Sequence, residues 1–236
     1  MSDPDVSIVI PVYNEATILE AAIEELVAKL NALGWSYEVM LAENGSRDGT
    51  AELGQALGQR FPCVRSLSVG EPNYGRALRQ GIAEARDELV ICDEIDLCDV
   101  EFYLRATELL RTNEAELVIG SKLVAGAADE RPWMRHAASQ LYNGLLRLSL
   151  GFRGTDTHGL KAFRRAVVAP IAARCVVEKD VFASELVIRA YREGVRVREI
   201  PVRLHERRPP SVDLIRRVPN VLRNLAKLAW AIRVHG

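Results

Sequence analysis

The four cysteines of this chain, Cys63, Cys92, Cys98 and Cys175, form no C-x-x-C pair. Isolated and mostly flanked by apolar residues, they fit a reduced cytosolic protein better than a disulfide scaffold or a thiolate zinc site. No apolar run approaches the roughly 18 residues that a spanning helix needs. The opening MSDPDVSIVIPVYNE has neither the basic segment nor the long apolar stretch of an export signal, so none is expected. An excess of one charge is also missing: 31 basic residues face 32 acidic ones, for a net charge of -1. No global field draws the chain to nucleic acid, and no nucleic-acid partner is expected. Internal repeats and low-complexity segments are absent. A glycine-rich phosphate loop with a signature lysine is missing after the first strand pattern, which weighs against a nucleotidyltransferase.

What is there is a regular alternation. At 236 residues and 48% hydrophobic, the chain can bury one large core. Strand patterns at Val6–Val12, Tyr37–Ala42, Val64–Val69, Leu89–Cys92 and Leu117–Gly120 alternate with helical spacings at Thr17–Leu33, Thr50–Gln59, Tyr74–Arg86 and Val100–Asn113. Thr17 and Glu20 have the spacing of a capping box. Such alternation predicts an α/β fold with a mostly parallel sheet, whose ligands bind beyond the carboxyl ends of the strands. The second half predicts a helix over Pro132–Leu150, a short strand over Gly159–Phe163, a helix over Val181–Arg192 and a strand over Val195–Leu204, with Pro201 near its end. Ser211–His235 reads as a basic amphipathic helix kinked at Pro219. Two roles suit it: packing on the body or a second subunit, or lying in a membrane interface with Trp230 at the boundary.

The polar clusters Tyr13-Asn14-Glu15, Glu43–Gly49 and Asp93–Asp96 follow the first, second and fourth strand patterns, so all three fall on one sheet edge. Any one of them is an ordinary polar loop; three acid-bearing loops on one edge point to a site. In ICDEIDLCD, Glu94 and Asp96 alternate about Ile95 and can face one way, with Asp93 facing the other. Paired carboxylates at a strand end suit a hard divalent cation, Mg²⁺ or Mn²⁺. Asp99 is placed to cap the next helix.

The order SIVIPVYNEA, ENGSRDGT, NYGRALRQGIAEA, an acidic D/E-x-D, GSK and DTHGLKAFRR resembles glycosyltransferase family 2, within it the dolichyl- or polyprenyl-phosphate mannosyltransferase type, from about Val6 to about Ser211. The resemblance implies a GT-A fold over residues 1–210 followed by the basic helix at 211–236. It also implies a nucleotide-sugar donor (GDP-mannose or a UDP-sugar), a divalent metal, inversion at the sugar carbon, and a polyprenyl-phosphate acceptor reached from the inner face of a membrane. On it, Pro11, Tyr13 and Glu15 match the first nucleotide-contacting loop. Glu43 and Asn44 stand where D-D is usual, the second position being a base contact, and Ser46 and Asp48 match as written, with Asp48 holding the turn. Asn73 and Arg76 match the loop over the donor; Gly75 and Gly81 can equally be packing glycines. Asp93 to Asp96, Ile95 included, form the donor and metal loop, with Glu94 and Asp96 as metal ligands and Asp96 catalytic. Lys122 falls where an arginine is usual, and Arg135 matches a basic position near the sugar or acceptor phosphate. Related enzymes place a base in the region of Asp180 and Glu185, and some add a histidine to the metal, here His158 or His205. Two departures stand out: Glu94 replaces an aspartate, and the segment from Arg207 to Asp213 lacks the family's final lysine. A soluble hydroxyl acceptor, or nucleotide-sugar binding without turnover, remain alternatives at this stage. Oligomeric state is not legible.

Overall fold

A computed structural model of the chain describes residues 6–126, 128–129, 133–178, 181–204 and 214–234. The elements run β1 (Val6–Val12), α1 (Leu19–Ala32), β2 (Tyr37–Glu43), α2 (Thr50–Arg60), β3 (Val64–Ser68), α3 (Tyr74–Glu84), β4 (Leu89–Cys92), α4 (Val100–Arg111) and β5 (Leu117–Ser121). There follow β6 (Ala128–Asp129), α5 (Trp133–Leu150), β7 (Lys161–Arg164), α6 (Arg165–Arg174), α7 (Phe182–Arg192), β8 (Val197–Pro201), β9 (Arg203–Leu204) and α8 (Leu214–Val234).

The strands form a sheet of order β3-β2-β1-β4-β7-β5-β8, with β6 and β9 paired apart from it. Within this sheet only β7 runs antiparallel to its neighbours. β1 and β2 are nearly or wholly buried, as continuous β-branched and aliphatic runs covered by helices on both faces should be. One apolar layer sets Ile8, Ile10 and Leu41 against α1 and α4; the other sets Val9, Val90 and Phe163 against α3, α6 and α7. Gly81 of α3 packs against the sheet so closely that a Cβ would lie 2.4 Å from Val9 Cγ1. That leaves it a packing glycine.

Three local expectations change. The Thr17–Glu20 capping box does not form: α1 opens at Leu19 with Ile18 as its N-cap and no side-chain cap. The free amides just before it are satisfied by the next loop instead. α6 carries Pro170 and little amphipathic contrast, so its spacing announced no helix. The run Val195–Leu204 breaks after Pro201 into β8 and β9, because proline has no N–H to continue the ladder. α8 packs on the body, with Leu225, Leu228, Ala231 and Ile232 in the core and Trp230 exposed. From Leu225 to Ile232 its apolar side chains are therefore turned inward. His205, Arg207, Arg208 and Asp180 lie outside the described residues, as do the side chains of Arg135 and Arg203.

Candidate active site

The first loops after β1 and β2 are stapled to each other. The main-chain N–H groups of Asn14, Glu15 and Ala16 donate to Ser46 Oγ (3.0 Å), Thr50 Oγ1 (2.7 Å) and Asp48 Oδ2 (3.1 Å). Arg47 N donates back to Asn14 Oδ1 at 2.9 Å, and Asn14 sits at φ 55°, a conformation asparagine tolerates better than most residues. Asp48 also accepts from Thr50 N and Thr50 Oγ1. These donors, led by the Thr50 hydroxyl, hold its carboxyl below the usual range. Pro11 lies within β1, and Tyr13 is exposed just beyond it.

Glu43, at the end of β2, is buried and accepts from Ser46 N and Ser68 Oγ, both at 2.5 Å. Asn44 Oδ1 takes the N–H of Asn73. Asn73 in turn caps α3 by accepting from Arg76 N at 3.1 Å, and its amide donates to Glu178 Oε2 at 2.6 Å. Gly45, at φ 71°, lets this crossing happen: a Cβ would stand 2.5 Å from the Glu71 main chain. Arg76 pairs with Glu71 at 3.0 Å at the surface. Glu43, Asn44, Ser46 and Asn73 therefore form one hydrogen-bonded rim along the carboxyl ends of β2 and β3. Glu43 and Ser46 build that rim, while Tyr13 and Arg76 stand exposed beside it.

The acidic loop after β4 divides its work. Asp93 is 3% exposed and faces inward. Its oxygens accept from Glu94 N (2.6 Å), Asp99 N (3.0 Å) and Tyr103 Oη (2.5 Å). Burial pushes this carboxyl up to about 7 against those hydrogen bonds, led by Tyr103. The contact expected of Asp93 in the donor and metal loop does not fit its side chain: both oxygens are spent holding the loop together and onto α4. Ile95 is packed in the core, so only its main chain is offered outward. Asp99 caps α4 through Phe102 N at 3.0 Å.

Glu94 is exposed and Asp96 half-buried, and both line a 180 Å³ cleft together with Lys122, Asp156 and His158. Lys122 Nζ stands 3.2 Å from Asp156 Oδ2. Burial alone would raise the Asp156 carboxyl, but Lys122, the N–H of His158 and the imidazole together hold it below its ordinary value. His158 is held through Nδ1 by Thr157 Oγ1 (3.1 Å) and by the edge of the Tyr142 ring, 5.4 Å between centroids. The turn carrying it rests on β5, where Gly159 admits no Cβ because Gly120 O would be 1.7 Å away.

Glu185 is elsewhere. It is wholly buried on α7, accepting from Val176 N, Val177 N and Arg189 Nε, the last at 2.8 Å. It does not line the cleft, and its carboxylate is committed to an ion pair. The expectation of Glu185 as a base is corrected accordingly: it fixes the main chain at Val176 and Val177.

Among the described residues, no three His, Cys, Asp or Glu side chains converge as a protein-only metal cage would require. Glu94 and Asp96 still fit a hard divalent ion, since Mg²⁺-type sites commonly use one or two carboxylates completed by substrate phosphate and water. His158 shares their cleft without completing a cluster with them.

Reading the sequence alone missed Tyr103, Thr50 and Lys161. Lys161, on β7 opposite Cys92, is a buried lysine donating to Gly159 O at 2.6 Å. Burial lowers its ammonium below the ordinary lysine value, against the pull of Cys92, Asp156 and Glu94. Its signal was present in the alternation of L-K-A-F, which turns Lys161 and Phe163 to one face of a short strand.

Comparison with known proteins gives the same picture of the fold. The mycobacterial glucosyl-3-phosphoglycerate synthase of Mycobacterium tuberculosis, crystallised with UDP, superposes with a TM-score of 0.69 at 19% identity over 96% of this chain and 80% of that one. Another structure of that enzyme holds Mn²⁺, UDP and glucosyl-3-phosphoglycerate. The fold is thus the GT-A fold. By sequence, glycosyltransferase AglD of Haloferax volcanii is 30% identical over 98% of this chain and 38% of its own length. The undecaprenyl-phosphate 4-deoxy-4-formamido-L-arabinose transferase of Edwardsiella ictaluri is 33% identical over 86% of this chain and 60% of its own. The chain thus spans between 38% and 60% of these two relatives. The model of "Glycosyl transferase family 2" matches residues 7–171, well over half of the sequence, and the chain belongs to that family.

Proposed function

We propose that this chain transfers a sugar, with inversion, from a nucleoside diphosphate-sugar to a polyprenyl phosphate at a membrane surface. The observation that carries the choice of acceptor is that, among the described residues, the candidate base Glu185 is turned away from the cleft while a cation is placed in it. Glu185 is locked in the core with Arg189, while Lys122 faces the cleft that holds Glu94 and Asp96. A hydroxyl acceptor needs a base; a phosphate oxygen is already anionic near neutral pH and needs positioning and charge screening. The names of the undecaprenyl-phosphate transferases support the same acceptor class.

In this reading Asn44 and the stapled loops receive the nucleotide. Glu94 and Asp96 hold Mg²⁺ or Mn²⁺. A bound ion of this kind would neutralise the departing diphosphate. Lys122 stands beside the anions, oriented by Asp156, with Arg135 as the second cation that the family pattern brings to the acceptor. His158 borders the cleft, held in place by Thr157 and Tyr142.

The test is transfer of radiolabelled sugar from GDP- and UDP-sugars into organic-extractable polyprenyl phosphate, with Mn²⁺ or Mg²⁺. Label is expected in the lipid phase and lost in Asp96→Ala. Label appearing only in water-soluble products would overturn the lipid acceptor.

A further inference from the structure

Three side chains are the most exposed large apolar groups among the described residues: Leu148 at 89%, Leu141 at 67% and Trp230 at 59%. They are not scattered. Leu141 and Leu148 lie two turns apart on one face of α5. Between them Gly144 opens onto empty space, with nothing within 4 Å of a Cβ placed there. α8 joins the same face: Arg233 Nη2 donates to Ser149 O at 3.2 Å, beside Leu148, and Trp230 lies one turn before Arg233. Arg223 and Lys227 precede Trp230 on that exposed side of α8, and Arg147 is exposed beside Leu148.

The charge of these two helices is one-sided. In a chain of 31 basic and 32 acidic residues, α5 and α8 contain Arg135, Arg147, Arg216, Arg217, Arg223, Lys227 and Arg233, and no Asp or Glu. Exposed leucines and a tryptophan set among the cations of two acid-free helices are complementary to an anionic lipid surface. A second copy of the chain would bring the same cations against each other.

We propose that Leu141, Leu148 and Trp230, flanked by Arg147, Arg223, Lys227 and Arg233, form a face that docks on an anionic bilayer. The choice of a lipid occupant rests in part on the acceptor proposed above. The face also has a geometric bearing on the cleft. Tyr142, next to Leu141, sets its ring against His158 at the cleft wall. Docking through Leu141 brings that wall to the lipid headgroups, so a phosphate carried by a buried prenyl chain reaches the cleft without leaving the membrane. This differs from α8 lying in the interface on its apolar stripe, because Leu225, Leu228, Ala231 and Ile232 of that stripe are buried in the core.

The experiment is vesicle flotation of the full 236-residue chain with phosphatidylcholine alone and with phosphatidylcholine containing phosphatidylglycerol. The chain is expected to float with the anionic vesicles, weakly with neutral ones, and less as salt is raised. Leu141→Glu/Leu148→Glu is expected to lower partitioning about tenfold or more, with an unchanged melting temperature because both side chains are already exposed. Trp230→Ser is a second, independent variant expected to act in the same direction. Flotation that these variants leave intact, or no flotation at all, overturns the face. So does a dimer, detected by light scattering, that the double variant dissolves. Transfer to polyprenyl phosphate in detergent micelles separates the two proposals. There the double variant should match the parent chain. Flotation without transfer to any acceptor in micelles would sink the acceptor reading and leave the docking face standing.

Discussion

Asp93 and Asp96 stand three residues apart and do opposite things, and burial decides which does which. Asp93 is enclosed by two amides and a phenol, while Asp96 opens to the cleft. Asp96→Ala is expected to abolish turnover and any Mn²⁺-dependent shift in melting temperature, with stability nearly unchanged. Asp93→Ala strands Tyr103 and two N–H groups, and should cost about 1–3 kcal/mol or more in urea unfolding. The enzyme that remains folded should keep part of its activity. Glu185→Ala removes the carboxylate that pairs with the buried Arg189, so a stability loss on the order of 3–5 kcal/mol is expected in the same assay. A base would show a selective fall in kcat with an unchanged urea midpoint, and that outcome would return Glu185 to catalysis. Asp156 gives a pH signature. Its carboxyl is held below its ordinary value, so its contribution to stability is present above the unfolded pKa, roughly 3.9, and is lost as pH falls through the native one. Asp156→Asn should flatten the acid limb of melting temperature against pH.

At the scale of elements, the βα loops were legible as a site before any geometry, because strand order in a parallel sheet fixes which ends meet. Their internal wiring was not legible. Ser46, Asp48 and Thr50 turned out to hold the loop after β1, while the local capping box expected of Thr17 and Glu20 does not form. The acceptors for the amides of Asn14 to Ala16 come from a loop distant in the chain, and only the packing of β1 beside β2 brought them there. Asp48→Ala should raise hydrogen exchange at Ala16 and Thr50 and weaken nucleotide binding, with a stability loss of about 1 kcal/mol for each hydrogen bond removed. α8 shows the same limit. Its amphipathic spacing was plain, but a 3.6-residue period does not say what the apolar stripe meets. Since Leu228 is fully buried, Leu228→Ala should cost about 2–5 kcal/mol, read by denaturant midpoint. Removing the helix outright would expose the core and confuse any membrane assay.

For the whole molecule, the expectation of greatest reach is linkage: UDP or GDP with Mn²⁺ should raise the melting temperature, more than either nucleotide or metal alone, as binding to the native state requires. Absence of that shift for every nucleotide tried would count against the donor class. The alternation of elements, the sheet edge that carries the loops and the family itself were settled by the sequence. Periodicity and the order of motifs are local properties, and they survive whatever the chain does in three dimensions. Tertiary structure alone decided which carboxylates face solvent. Asp93, Glu43 and Glu185 look as available in sequence as Glu94 and Asp96, yet the first three are spent inside on amides, hydroxyls and Arg189. It also decided that α8 turns Leu225, Leu228, Ala231 and Ile232 to the core and that α5, a helix whose faces the sequence left unassigned, carries the exposed leucines. The reason is the same in each case: the cost of burying a charge or exposing an apolar side chain depends on partners that are distant in the chain, and folding chooses them.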